Sequence, residues 1–165
     1  MQGIPLNERK RLGALLDDRP QAEVMAMIPQ FSQAETDNFV APPAQIPEAL
    51  GVLMFNMERG VNLPEIQEFL RDCPDIQPFD VILANELDDG CARSGNKNTA
   101  RELAQAFGLN YAWGLEFIEL VNDENAKGFH GNAVFSRWPI RRAGVIRLPE
   151  QYNWYFDRQK RIGGR

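Results

Sequence analysis

Apolar residues fall into two kinds of pattern along this chain. Val52-Leu53-Met54-Phe55 and Phe79-Asp80-Val81-Ile82-Leu83 are short, nearly continuous apolar runs, the signature of strands in a sheet. Between them Leu63, Ile66, Phe69 and Leu70 recur at helical spacing, with Asn62 placed to cap the first turn, Pro64 inside it and Glu65 near its positive end. Pro74 and Pro78 close that connection. A strand–helix–strand unit of this length predicts two parallel strands. A polar loop over residues 88–98 leads to Thr99-Ala-Arg-Glu102, a capping box for a helix through Ala100, Leu103, Ala104 and Phe107 that Gly108 stops. Further strands are expected over residues 111–121, 130–136 and 140–148, the last between Pro139 and Pro149. These elements predict an α/β fold.

Upstream the pattern weakens. Leu12, Leu15 and Leu16, then Val24, Met25 and Ile28, predict one or two short helices ended at Pro29. Residues 31–47 are polar, with Pro42-Pro43 and Pro47, and read as an extended connection packed along a larger body. The expected organisation is a lead-in over residues 1–47 and a main unit over residues 48–165. After Pro149 the chain becomes aromatic (Tyr152, Trp154, Tyr155, Phe156), then basic, and Arg158-Gln-Lys-Arg-Ile-Gly-Gly-Arg165 reads as the beginning of a strand.

Composition narrows the function classes. With 165 residues, 44% hydrophobic and 25% charged, the chain suits one globular core. No apolar run approaches the ~20 residues of a membrane span, and the N-terminus lacks the charged-then-apolar order of a secretory signal. Cys73 and Cys91 form no metal or disulfide spacing, so a reducing, cytoplasmic setting is expected. His130 is the one histidine, which excludes a His-rich zinc site and leaves any nucleophile–histidine arrangement a single imidazole. The net charge of −5 is uneven: residues 137–165 hold eight Lys and Arg against two Asp and Glu, whereas the rest hold ten against 21. Either the two regions neutralise each other within the fold, or Arg158, Lys160, Arg161 and Arg165 reach a substrate phosphate. The acidic total argues against a generic nucleic-acid binder.

Two residues stand where chemistry gathers in parallel sheets, outside the carboxyl ends of strands: Asn56 and Glu86. An amide oxygen beside a carboxylate suits a hard cation such as Mg2+, which keeps waters and takes one or two protein carboxylates. By spacing alone, strand-terminal turn residues would read the same way. Glu58 and Asp88 are lesser, supporting candidates. His130, beside a glycine-led strand, is either a structural loop histidine or a weaker catalytic candidate, a site-lining general base.

The segments Phe55-Asn56-Met57-Glu58-Arg59-Gly60, Asp80-Val-Ile-Leu-Ala-Asn-Glu86-Leu-Asp88 and Gly128-Phe-His-Gly-Asn-Ala-Val-Phe-Ser-Arg-Trp-Pro-Ile140 occur in this order. Together they resemble the endonuclease/exonuclease/phosphatase superfamily, the deoxyribonuclease-like metallo-phosphoesterases, over roughly residues 50–142. Asn56 matches the asparagine closing that family's first core strand. Glu86 matches the glutamate of its Gln-Glu motif, with Asn85 in place of the glutamine, and Phe135 replaces the leucine of its Leu-Ser-Arg strand end. The resemblance implies a four-layer α/β/β/α sandwich with two mixed sheets. It also implies Mg2+- or Mn2+-dependent hydrolysis of a phosphoester, whether nucleic acid, phospholipid headgroup or small molecule. Glu86 would hold the metal and Asn56 would order it or the phosphate, for Lewis-acid polarisation of a phosphoryl oxygen and positioning of water.

The family's later motifs, Gly-Asp-x-Asn and Ser-Asp-His, do not follow Ser136. The expectation is therefore the N-terminal half of such a domain, its sheet covered by a C-terminal half or by a partner chain. The alternative is a non-catalytic truncated relative acting as a binding or self-associating module, since an uncovered apolar sheet face favours association. A flavodoxin-like domain would need a phosphate-binding glycine loop after the first strand, where Gly60 stands alone.

Overall fold

The structure, a computed structural model, describes residues 1–149 and 160–164. In chain order its elements are α1 (Leu6–Ala14), α2 (Gln21–Ala26), β1 (Ala34–Asp37), β2 (Val52–Arg59), α3 (Leu63–Asp72), β3 (Val81–Asp89), α4 (Thr99–Phe107), β4 (Asn110–Glu119), β5 (Phe129–Ser136) and β6 (Arg161–Gly163). They build an α/β fold around one mixed, six-stranded sheet in the order β1-β4-β5-β3-β2, with β6 also on β4. As the apolar runs predict, β2 and β3 are parallel neighbours joined through α3; the other pairs are antiparallel. β1 and β6 follow one another along β4, at Tyr111–Gly114 and Phe117–Glu119.

Strand alternation gives the sheet two unlike faces. One carries Phe55, Met57, Ile82, Ala84, Tyr111, Trp113, Leu115, Ala133 and Phe135, packed with Leu63 and Leu70 of α3 and Ala100, Leu103 and Ala104 of α4. Leu12, Leu16, Val24, Ile28 and Phe31 belong to that same core, so residues 1–47 share the core of the main unit and supply it with an edge strand. Burying each large aliphatic side chain there is worth about 1.5–3 kcal/mol. Among the described residues the other face is open and apolar over its first half. Met54, Leu83, Val134 and Ala112 form one row across four strands, and Met54 is 72% exposed.

Residues 140–148, expected as a strand, form none. They run as a strap held by side chains. Asn38 and the backbone of Ile140 exchange hydrogen bonds of 2.8 and 3.1 Å, Val145 lies over Gly114, and Arg147 donates to the carbonyls of Phe31 and Leu115. The outer edge of β4 that such a strand would need is already filled by β1 and β6. The cap of α4 also shifts by one residue. Asn98 Oδ1 accepts from the Arg101 N–H at 2.8 Å, while the Thr99 hydroxyl donates to the Asp88 carbonyl at 2.8 Å. Asn62 precedes α3 without a side-chain capping bond.

Candidate functional site

Asn56 and Glu86 lie on neighbouring parallel strands, Asn56 opposite Asn85 and Glu86 one residue further on, where the sheet falls out of step. Between Asn56↔Asn85 and Arg59↔Leu87, two residues of β2 (Met57, Glu58) oppose Glu86 alone. Between Ala84↔Ala133 and Leu87↔Gly131, Asn85 and Glu86 of β3 oppose Asn132 alone. Between Leu115↔Gly131 and Phe117↔His130, Glu116 of β4 has no counterpart on β5. Three bulges thus stand at one level across four strands, and bulges of this kind re-aim side chains beside active sites. Glu58, Arg59 and Glu86 have φ of 46°, 67° and 58°. A left-handed non-glycine residue costs about 1–3 kcal/mol, so three in one row mark a place shaped for more than stability.

Hydrogen bonds fix the row. Asn56 Oδ1 accepts from the Glu58 N–H at 2.8 Å, which orients its amide. Asn132 Oδ1 accepts from the Glu86 N–H at 3.2 Å and its Nδ2 donates to Glu116 Oε2 at 3.1 Å, tying the bulge of β3 to that of β4. Sequence reasoning singled out neither Asn132 nor Glu116. The sequence carries one trace of the irregularity, the adjacent apolar pair Phe117-Ile118 that breaks the alternation, and in the structure Leu115 through Ile118 are all buried.

Beyond the bulges, Asp88, His130 and Phe117 are cross-strand neighbours with almost no exposure. His130 lies on β5 rather than in a loop and is 3% exposed, with Nδ1 2.8 Å from Asp88 Oδ1. Arg93 grips the same carboxylate through Nε at 2.7 Å and Nη2 at 2.9 Å, and the Ser94 hydroxyl adds a bond of 3.2 Å. Arg93 Nη1 then reaches Glu119 at 2.5 Å. The Phe117 ring stacks on His130 at 4.3 Å, and the Arg161 guanidinium lies 4.0 Å from the Phe117 centroid. Burial acts to raise the Asp88 pKa, but hydrogen bonds from His130 and Arg93 outweigh it and hold the carboxyl below its ordinary value. With Asp88 ionised, His130 Nδ1 carries the proton. Burial likewise opposes the charge of Arg93, yet Asp88 and Glu119 hold it above its ordinary value. Desolvation, reinforced by Asp88, pushes the Cys91 thiol far up and leaves it unreactive.

The donor set decides which ion this place could take. Among the described residues no three His, Cys, Asp or Glu side chains converge as a metal cage. What Asn56 and Glu86 offer is one amide oxygen and one carboxylate on adjacent strands, a set that fits a hard, water-keeping cation such as Mg2+ or Mn2+. The basic end is partly accounted for within the fold: Arg137 pairs with Asp80 at 3.0 Å, Arg147 lies over Phe31, and Arg161 over Phe117. Arg158, Arg165 and the aromatic cluster at Tyr152, Trp154, Tyr155 and Phe156 lie outside the described residues. No helix among the described residues is long and apolar enough to cross a membrane. Compared with known proteins, the chain matches no family model, no curated protein and no solved structure.

Proposed function

We propose that this chain carries the metal-holding portion of a phosphoester hydrolase of the endonuclease/exonuclease/phosphatase type. The observation that supports the reading is the row of three bulges at the carboxyl ends of two parallel strands, with Asn56 the cross-strand partner of Asn85 and Glu86 the next residue of β3. Glu86 is the carboxylate ligand of Mg2+ or Mn2+, and Asn56 orders the ion or the phosphate. The ion, when bound, polarises a phosphoryl oxygen and lowers the pKa of water. Asn132 fixes the backbone of Glu86, and the Asp88–His130 pair supports the row from the buried side. Hydrolysis joins a water oxygen to phosphorus as the ester P–O bond breaks and the departing alkoxide takes up a proton. The substrate is a nucleic acid, a phospholipid headgroup or a small phosphoester, and the net charge of −5 disfavours non-specific DNA. Two unpaired thiols suit a reducing, cytoplasmic setting.

Glu86→Gln tests this directly. Mn2+ binding, followed by paramagnetic resonance or calorimetry, weakens by about 100-fold or more in the variant, while its thermal melt stays near that of the parent chain. Unchanged Mn2+ affinity rejects the reading.

The open face favours a second reading, a binding or self-associating module. Val52, Met54, Leu83 and Val134 are exposed on one face, and a groove of about 1430 Å³ runs over the sheet between α2 and the strap. Such a face is covered in use by a second copy, by a partner chain or by further sheet of a complete domain. Sedimentation is expected to show concentration-dependent association that Met54→Lys abolishes. A monomer at every concentration, in parent and variant alike, removes the self-associating form of this reading.

A further inference from the structure

β2 is the last strand of the sheet on its side and pairs with β3 alone. Which of its backbone groups remain free follows from one hydrogen bond. The Val81 N–H donates to the Gly51 carbonyl at 3.1 Å, so Gly51 turns its carbonyl toward β3. Successive residues of a strand turn their backbone groups to alternate sides. Leu53 and Phe55 therefore bond to β3, whereas Val52, Met54 and Asn56 direct N–H and C=O away from it. Among the described residues no backbone hydrogen bond reaches those outward groups.

Exposed edges are ordinarily blunted by charge, by proline or by a bulge. Val52-Leu53-Met54-Phe55-Asn56 carries none of these; the bulge and the first charges come after it, at Met57, Glu58 and Arg59. Apolar side chains flank this edge on both sides. Val52 and Met54, 56% and 72% exposed, stand on the open face, and Phe55 on the helical face stacks at 5.8 Å on Phe69, itself 44% exposed. The segment also complements itself. A second copy turned about a twofold axis through Met54 sets Met54 opposite Met54, Val52 opposite Asn56 and Leu53 opposite Phe55. Every outward-facing residue then meets another, each such pair exchanging two hydrogen bonds, and no charge faces a charge. A shift of one residue would set outward groups against inward ones, and a shift of two would leave Asn56 facing Leu50, outside the strand. We infer that two copies of this chain join along this edge, β2 antiparallel to β2, into one continuous sheet. The apolar row of Val134, Leu83 and Met54 then runs on across the axis into its copy.

The inference rests on the self-associating reading and gives that reading its register. Residues opposed in a hydrogen-bonded antiparallel pair have Cα atoms about 5.5 Å apart, within the span of a disulfide. The test uses the full chain with Cys73→Ser, which removes the half-buried thiol and leaves Cys91 buried. Adding Met54→Cys is expected to give a covalent dimer on treatment with diamide. Val52→Cys in the same background is expected to stay unlinked, because the register holds it about 13 Å from the same residue of the other copy. Met54→Pro supplies an independent measure. It removes an N–H that β3 does not use, a change edge strands accommodate, so the thermal melt should stay near the parent's. In sedimentation equilibrium its self-association should weaken by about 10–100-fold, through the hydrogen bonds lost on both copies. A parent chain that is monomeric at every concentration overturns the inference and the self-associating reading together. A parent that associates while Met54→Cys stays unlinked, or links no faster than Val52→Cys, overturns the inference alone and leaves the open face as the contact.

Discussion

Asp88→Asn is expected to lower the unfolding free energy by about 3–5 kcal/mol, the usual cost of breaking a buried ionic network by removing one partner. The Asp88 carboxylate is fully buried and receives Arg93, Ser94 and His130 together. An amide at this position accepts through one oxygen only and leaves the half-buried Arg93 charge to Glu119. The same carboxylate should be visible in acid. Its folded pKa lies below the ordinary carboxylate value, so folding favours the ionised form. That contribution is complete above the unfolded value of about 3.9 and is lost as pH falls from there through the lower folded value. Urea midpoints measured from pH 6 down to pH 2 should fall steeply for the parent chain below about pH 4, and less steeply for Asp88→Asn. A variant as stable as the parent at pH 7 contradicts the network's role.

Gly131→Ala is expected to be as damaging, for a steric reason. A Cβ at this position would stand 2.0 Å from the Gly114 carbonyl oxygen and 2.7 Å from the indole of Trp113. Overpacking against movable side chains costs about 1–3 kcal/mol. Here the nearest obstacle is backbone on a paired strand, and Trp113 is itself fixed by donating from Nε1 to the Leu87 carbonyl at 3.3 Å. A loss of more than about 3 kcal/mol in urea unfolding is expected, with β4 and β5 prised apart at the bulge that presents Glu116. Gly144→Ala is the control, because a Cβ there meets nothing within 4 Å; its effect should stay within about 0.5 kcal/mol. Comparable stability in the two variants would show that the close approach at Gly131 is unimportant.

The parts of this fold written in local periodicity are legible in the chain. The apolar runs of β2 and β3 and the stripe of α3 declare a parallel unit, and the ends of those two strands point to Asn56 and Glu86. What depends on distant partners is not legible. Thr99 reads as a cap until the Asp88 carbonyl, eleven residues away, takes its hydroxyl. Ala34–Asp37 shows no hydrophobic alternation, yet it becomes β1 because Glu35 accepts hydrogen bonds from Tyr111 at 2.6 Å and Asn98 at 2.8 Å. Residues 140–148 have the composition of a strand, but the outer edge of β4 is taken by β1 and β6. The bulge row is hardest of all. It arises from the mutual register of four strands, so Asn132, Glu116 and Arg59 acquire their places only when the sheet is assembled.

The arrangement of β1 and β6 has a consequence for how copies of this sheet can meet. Together they offer a neighbour two separate stubs of four and three residues, a broken template along which no continuous ladder can zip. β2 offers eight residues in a row, but its far end twists out of line at Glu58 and Arg59. The sheet is therefore polar in its capacity for edge pairing, receptive along one border and interrupted along the other. Two copies meeting border to border through β2 would expose only interrupted borders, and such growth ends with the pair instead of running on into a fibre.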